Sequence, residues 1–311
     1  MTNQLHVVLG GHGAIGQAVI KELQLKRIPT RAVERSKNVP GVETIKADLL
    51  DLQQGINATK GSSHVYLCVG IPYSSKIWET QWPVIMNNVI TACEKSNSTL
   101  IFFDNVYMYG PSPLSIPFDE THPQKPESQK GKTRKLITDR LLHAHKNGRI
   151  KSVIGRSADF YGPDAVNSPF YIVFLERILQ GKAPQWLGKP TIKHTYAYTI
   201  DNGKALVALA LDESTFGQTW HLPVGYPITI EEVIEIFNRE LNTNYKISFI
   251  PRWMLGLMGI FIPPIYEAKE MLYQFDNEYI MSGEKFKRHF PDFNVTNYLD
   301  GIQEMIRSFK S

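Results

Sequence analysis

The chain has 311 residues and only two cysteines, Cys68 and Cys93, in no recognisable pattern. That excludes a disulfide-stapled scaffold and a cysteine-ligated metal centre, and it fits a reducing compartment. The histidines supply no metal site either. His143 and His145 are two apart on a predicted helix and so point to different faces, while His194 and His221 are far apart and read as structural. No bound metal is expected. Long hydrophobic runs are missing as well. The most apolar stretch, Trp253 to Ile262, has about half the length that a spanning helix needs. It reads as a core or subunit-contact helix, and no membrane span is expected. The N-terminus lacks a basic, apolar, small-residue leader, so a cytoplasmic protein is expected. Net charge is only +4. The basic cluster Lys130–Lys135 carries no interleaved aromatics of the kind that stack bases, so nucleic acid is not expected as a partner. There is no internal repeat and no low-complexity linker.

What is present begins at Val7. The stretch VVLGGHGAIG places apolar residues directly before Gly10, Gly11, Gly13 and Gly16, and Ile15, Val19, Ile20 and Leu23 follow at helical spacing. Strand, glycine turn and helix form the context in which such glycines hold a dinucleotide. They permit a tight turn, let the main chain approach the pyrophosphate, and let helix pack on strand. The helix N-terminus, from His12 and Gly13 through Ala14 and Ile15 to Gly16, offers free N–H groups and partial positive charge to phosphates. Strand signals recur at Leu5–Leu9, Arg31–Val33, Val42–Ile45, His64–Val69, Thr99–Phe103 and Lys151–Ile154. Helices are predicted from after Gly13, and over 77–95 and 127–147. Repeated βα units predict an α/β fold: a Rossmann-like, doubly wound parallel sheet. After Gly162-Pro163 the rhythm breaks. Helices are predicted over 169–180, from an Asp201 cap to Leu211, over 230–241 after a Thr229 cap, near 252–260 and 264–274, and over 295–309. Strands are predicted at 194–199, 218–222 and 246–249. The expected organisation is a dinucleotide-binding domain over 1–165, with 192–225 returning to it. A smaller, mostly helical C-terminal substrate lobe is expected from 166–191 and 226–311.

The glycine pattern, Ala47-Asp48-Leu49, Cys68-Val69-Gly70, the segment Phe103 to Gly110, Lys130–Lys135, Arg156–Pro163, His194–Asp201 and Trp220–Pro223 follow one another in the order of a known group. The chain resembles the extended short-chain dehydrogenase/reductases of the NAD-dependent epimerase/dehydratase family, and an atypical subgroup of them more closely. The resemblance covers nearly the whole length. It implies that Asp48 and Leu49 lie at the adenine, that Cys68, Val69 and Gly70 run along the cofactor, and that Asn88 orders that region. It also implies a small-molecule substrate, possibly a sugar nucleotide, and a homodimer.

The departures bear on chemistry. Usual members carry a serine or threonine, then a tyrosine with a lysine four residues later. The tyrosine moves a proton, and the lysine holds the nicotinamide ribose and lowers the tyrosine pKa. Here the serine position reads as Asn105, the lysine position as Lys135 and the tyrosine position as Gly131. Asparagine can hydrogen-bond a carbonyl but is no acid or base. Tyr107 and Tyr161 are the preferred substitutes as proton donor, with Tyr73 on the same rim. The bland reading of the basic cluster is a solvated helix start with only Lys135 facing inward. The alternative has Lys132 or Arg134 bind an anionic substrate group. Glu34 ends strand two, about twenty residues past the glycine turn, where an acid bonds the ribose 2′-OH of NAD. Arg35 follows, with Arg31 and Lys37 near, and arginine suits the 2′-phosphate of NADP. NAD is favoured and NADP stays open. Two functions are compatible with these residues: an NAD(P)-binding oxidoreductase without the usual tyrosine, or a non-catalytic NAD(P)-binding regulatory or redox-sensing protein.

Overall fold

A computed structural model describes residues 4–249, 267 and 270–310. The sheet contains β1 (Leu5–Leu9), β2 (Thr30–Glu34), β3 (Glu43–Lys46), β4 (Ser62–Leu67), β5 (Thr99–Asp104), β6 (Ser152–Arg156) and β10 (Thr219–His221). Its order is β10-β6-β5-β4-β1-β2-β3, and every pairing is parallel. The fold is the expected Rossmann-like α/β arrangement with a helical C-terminal region. Successive strand residues explain why both faces are covered. Val7 and Leu9 enter one core cluster while Val8 enters the other, as the two-residue period of a strand requires. The first cluster lies under α2 (Leu52–Thr59), α3 (Ser75–Ser96) and α4 (Gln129–Lys146). The second lies under α1 (Ala14–Leu25) and α6 (Thr199–Leu211). β1 separates the two halves of the strand order, and its neighbours β2 and β4 leave it on opposite sides. Such a switch point opens a crevice at the carboxyl ends of the strands.

Beyond the sheet, the expected helix over 169–180 is a π-helical stretch, Phe170–Leu175, continued by α5 (Glu176–Leu179). The predicted strand over 194–199 shrinks to β9 (Ala197–Tyr198), which pairs with β7 (Phe160–Tyr161). Two residues of β8 (Gln185–Trp186) pair with β11 (Ser248–Phe249). Thr229 caps α7 (Ile230–Leu241) in a full capping box with Glu232, a reciprocal bonding that satisfies two orphan donors. Asp201 does not cap α6, which starts at Thr199. Its carboxylate instead accepts the Thr296 N–H at 2.7 Å and the Thr296 hydroxyl at 3.0 Å. That tethers the segment before the last helix, α9 (Tyr298–Lys310), which follows α8 (Glu284–His289). A separate aromatic core forms here from Tyr161, Phe170, Phe174, Trp186, Tyr196, Phe237 and Ile302. The apolar segment 253–262 and most of the helices expected near 252–260 and 264–274 lie outside the described residues. Among the described residues, no helix is long and apolar enough to cross a membrane.

Candidate dinucleotide and substrate site

The crevice beside β1 is shaped by glycines. Gly10 adopts φ +84°, and a side chain there would meet the Val69 backbone at 2.8 Å. A Cβ on Gly16 would lie 2.1 Å from the Gly10 carbonyl oxygen. Strand end and helix start are therefore closer than any side chain allows. Gly13 occupies the N-cap of α1 with no side-chain cap, and no acid lies in the first turn. The orphan N–H groups that every helix start carries stay available to an anion. The Cys68 N–H donates to the Leu9 carbonyl at 2.9 Å, which fixes the Cys68-Val69-Gly70 turn against the glycine turn. Burial pushes the Cys68 thiol up, so it is a neutral wall and not a nucleophile.

The outer end of the crevice holds the expected acid. Glu34 accepts the His12 N–H at 2.6 Å, so the carboxylate lies against the glycine turn. Lys37 approaches His12 Nε2 at 3.2 Å. Arg31 is turned away to Glu43, at 2.9 Å, and Arg35 is exposed. Asn88 donates from Nδ2 to the carbonyls of Leu49 and Leu50 at 2.9 and 3.1 Å. Asp48 Oδ1 accepts the Leu50 N–H at 3.0 Å. Asn88 thus fastens the loop after β3 from the neighbouring helix. These residues surround one crevice and suit a dinucleotide: close backbone, uncapped helix start, and an acid where a ribose would lie.

The catalytic candidates separate. Asn105 follows β5, and its Oδ1 accepts the Tyr107 N–H at 3.1 Å. The Tyr107 ring stacks near Trp78, with centroids 6.2 Å apart, and its hydroxyl bonds that of Tyr73. Burial pushes the Tyr107 phenol well above its ordinary value, so it stays protonated and is a weaker acid than an exposed tyrosine. Tyr161 is a correction. It is buried against Phe170, Tyr198 and Tyr298 in the aromatic core described above, and does not join Tyr107. Tyr198 belongs to that core too, donating to Glu304 at 2.5 Å.

Lys135 is a second correction. It is 38% exposed and pairs with Asp139 at 2.6 Å on the outer face of α4. Ser128 caps α4 by accepting the Gly131 N–H, and that start turns Lys130, Thr133 and Arg134 inward. The inward pair four apart is thus Lys130 and Arg134, one residue earlier than the sequence register suggested. Gly131 is no vacated tyrosine position. A Cβ there would lie 2.3 Å from the Tyr107 carbonyl oxygen, so glycine lets α4 close on the β5 loop. Lys130 is fully buried and held by Glu267 at 2.5 Å, Glu270 at 2.7 Å and the Ser75 hydroxyl at 3.1 Å. Arg134 donates to Asp104 at 2.6 Å, with its guanidinium 4.6 Å from the Trp82 ring centroid. The same carboxylate accepts from Arg156 at 3.3 Å. Arg156 in turn donates to the Tyr109 hydroxyl at 2.9 Å. Tyr109 donates to His221 Nε2 at 2.6 Å, and His221 Nδ1 donates to the Ser282 carbonyl at 3.0 Å. Burial holds His221 down at about 3, as this neutral, fully bonded role requires. The network fixes the carboxyl ends of β5, β6 and β10.

Beside it lies a group without such satisfaction. Asp159 follows β6, and its Oδ2 is buried with no hydrogen-bond partner. His194 Nε2 stands 3.6 Å away, also buried and unbonded, as is the Tyr196 hydroxyl. Burial raises the Asp159 carboxyl to about 6 and lowers His194 to about 3.

The model of the NAD dependent epimerase/dehydratase family matches residues 6–222. The chain belongs to this family. Its fold is shared with UDP-glucose 4-epimerase from Thermus thermophilus, solved with NAD, at 18% identity, 99% of each chain covered and a TM-score of 0.77. It is similar to a dTDP-glucose 4,6-dehydratase from Streptomyces venezuelae, at 15% identity, 98% and 97% coverage and a TM-score of 0.80. UDP-N-acetylglucosamine 4-epimerase from Methanobrevibacter ruminantium gives 18% identity, 100% and 99% coverage and a TM-score of 0.79. In sequence, the chain is 24% identical over 172 residues to the uncharacterized protein y4nL of Sinorhizobium fredii. That match takes in 53% of this chain and 46% of the relative.

Within this family member, sequence reasoning missed Lys130 and Asp159, and offered Arg134 only as a binder of an anionic substrate group where the structure pairs it with Asp104. Ser128 as N-cap was the signal for Lys130 and Arg134, because the cap sets which face of α4 turns inward. For Asp159 the signal was an acid three residues beyond the end of a wholly buried strand.

Proposed function

We propose that this epimerase/dehydratase-family chain binds NAD and carries out oxidoreductase-type chemistry on a small molecule of the sugar-nucleotide class, without the usual tyrosine. The carrying observation is the glycine crevice at the β1–β4 switch point, with the uncapped start of α1 and Glu34 at its rim. Relatives of the same fold solved with NAD support the cofactor. Glu34 suits ribose hydroxyls and would repel a 2′-phosphate, Arg31 is engaged by Glu43, and Arg35, the next residue, is exposed. This favours NAD over NADP. Bound there, the nicotinamide would supply a hydride acceptor. Asn105, whose Oδ1 is occupied by the Tyr107 N–H, would use its amide NH₂ to bond the reacting oxygen. Tyr107 would be the proton donor facing that oxygen, with Tyr73 bonded behind it. The reading carries with it a cytoplasmic homodimer, which sedimentation and fractionation check.

The absence of tyrosine from both inward positions of α4, Lys130 and Arg134, supports the second reading, a redox-state reporter that turns nothing over. One experiment separates them. Protein saturated with NAD⁺ is incubated with a panel of UDP- and dTDP-hexoses, and products are followed by NMR. The first reading expects an epimer or a 4-keto product, at least tenfold slower in Tyr107→Phe. Tight NAD⁺ binding with no product and no solvent deuterium entering any sugar would leave the reporter. Failure to bind NAD⁺ would remove both.

A further inference from the structure

Asp159 Oδ2 has no hydrogen-bond partner among the described residues, although the side chain is only 17% exposed. Its Oδ2 and the Tyr196 hydroxyl are buried and unbonded, and three aromatic rings close the space beside them. His194 stacks on Tyr196 with centroids 4.6 Å apart and on Tyr279 at 5.2 Å. The charge of Asp159 is also felt by Tyr73, Tyr107 and Tyr273, whose hydroxyls burial in the first place pushes up. These tyrosines come from the loops after β4 and β5 and from the turn at 272–275. They bring Asp159 to the crevice where Asn105 and Tyr107 lie. Of these tyrosines, Tyr73 is 42% exposed.

Among the described residues no lysine or arginine pairs with Asp159. The nearby cation, Lys130, stands 4.4 Å from the Tyr73 ring centroid and is already bound to two carboxylates, Glu267 and Glu270. His194 is held neutral by burial and supplies no second cation. A buried anion without a partner is costly, and a ligand that brings a donor and a positive charge relieves that cost. Electron-rich ring faces suit the same kind of ligand.

We propose that Asp159, with His194 and Tyr196, forms an ammonium-recognition subsite, so that the preferred substrate carries a free amino group on its six-membered ring. The assignment rests on the reading of this crevice as the substrate site of a dinucleotide-dependent enzyme and adds its specificity. Neutral hydroxyl-bearing rings leave the charge unmet. Ring carboxylates are repelled.

The test uses ring-sized probes that differ in one group: cyclohexylamine, cyclohexanol and cyclohexanecarboxylate. Each is titrated into the full-length protein at pH 7.5, with and without saturating NAD⁺, and binding is read by NMR. Cyclohexylammonium is expected to bind at least tenfold tighter than cyclohexanol, and the carboxylate not to bind. In Asp159→Asn the amine should fall to the level of the alcohol. Asp159→Ser serves as a second variant, and thermal unfolding verifies that each is folded. Equal affinity for amine and alcohol, no amine binding, or a preference that survives both substitutions would overturn the assignment. A parallel NADH titration keeps the two readings apart. Amine selectivity without NADH binding would retain the subsite and remove the oxidoreductase. NADH binding without amine selectivity would do the reverse.

Discussion

Substituting Gly13 by aspartate should separate cofactor binding from folding. Gly13 is the N-cap of α1 at φ −72°, and a Cβ there would meet nothing nearer than the Gly10 carbonyl at 3.5 Å. The residue fits without strain. Aspartate is also a better N-cap than glycine and lies at the positive end of the helix, which together stabilise by about 0.5–1 kcal/mol. The variant should therefore melt no lower than the wild type. The same carboxylate would stand where the pyrophosphate must lie. Two unit charges about 4 Å apart repel by ~4 kcal/mol at an effective dielectric constant of ~20. Screening by water at the open crevice lowers that to about 3 kcal/mol, or roughly a hundredfold in affinity. Gly13→Asn has nearly the same size and no charge, and should bind at least tenfold tighter than Gly13→Asp. The assays are NADH fluorescence titration and thermal unfolding on the same preparations. An aspartate variant that binds NADH within threefold of wild type would refute the reasoning. So would one that loses NADH only because it is unfolded.

Other outcomes follow from buried charge. Asp104 serves two buried guanidinium groups, Arg134 and Arg156, so Asp104→Asn should cost about 3–5 kcal/mol and lower the melting temperature markedly. A change no larger than that of Arg35→Ala, on the surface, would refute the network. Burial raises the Asp159 carboxyl from 3.8 to about 6, so the native state binds its proton more tightly than the unfolded chain. The resulting penalty is absent below the unfolded value and complete above about pH 6. Asp159→Asn should therefore stabilise the ligand-free protein by about 3 kcal/mol at pH 7 and by almost nothing near pH 4; no stabilisation in urea melts at pH 7 would sink this. His6, His194 and His221 are lowered from 6.5 to about 3 by burial. Their stabilisation is intact above the unfolded value and is lost as pH falls through the interval. Near pH 5 each costs about 2 kcal/mol, and circular dichroism should show unfolding begin there. A fold indifferent to pH between 7 and 5 would contradict their burial as neutral rings.

The sheet was legible because its central strands, buried on both faces, are near-continuous apolar runs, and β1, β4 and β5 are each followed by a helix. Leu5–Leu9 is the expected strand, and α7 and its Thr229 cap were readable residue by residue. The crevice was legible for a related reason: glycines that permit close approach leave a local pattern. The inward face of α4 was not. Lys130, Lys132, Arg134 and Lys135 are all basic, so composition does not say which are buried, and the answer depends on the Ser128 cap and on glutamates more than a hundred residues away. Tyr161 misled for the opposite reason. A tyrosine after a strand end can face the crevice or turn away from it, and three aromatic partners, Phe170, Tyr198 and Tyr298, decided it. Asp201 looked like a cap because of its place before an apolar run. It is taken by Thr296, a partner the local sequence cannot announce.

The account stands most directly on a titration of the wild-type protein with NADH and with NADPH, followed by energy transfer from protein to nicotinamide fluorescence. It predicts saturable binding of NADH, at least tenfold tighter than NADPH because of Glu34. Absence of binding by either dinucleotide would contradict the reading of the glycine crevice, and a clear preference for NADPH would contradict the role given to Glu34.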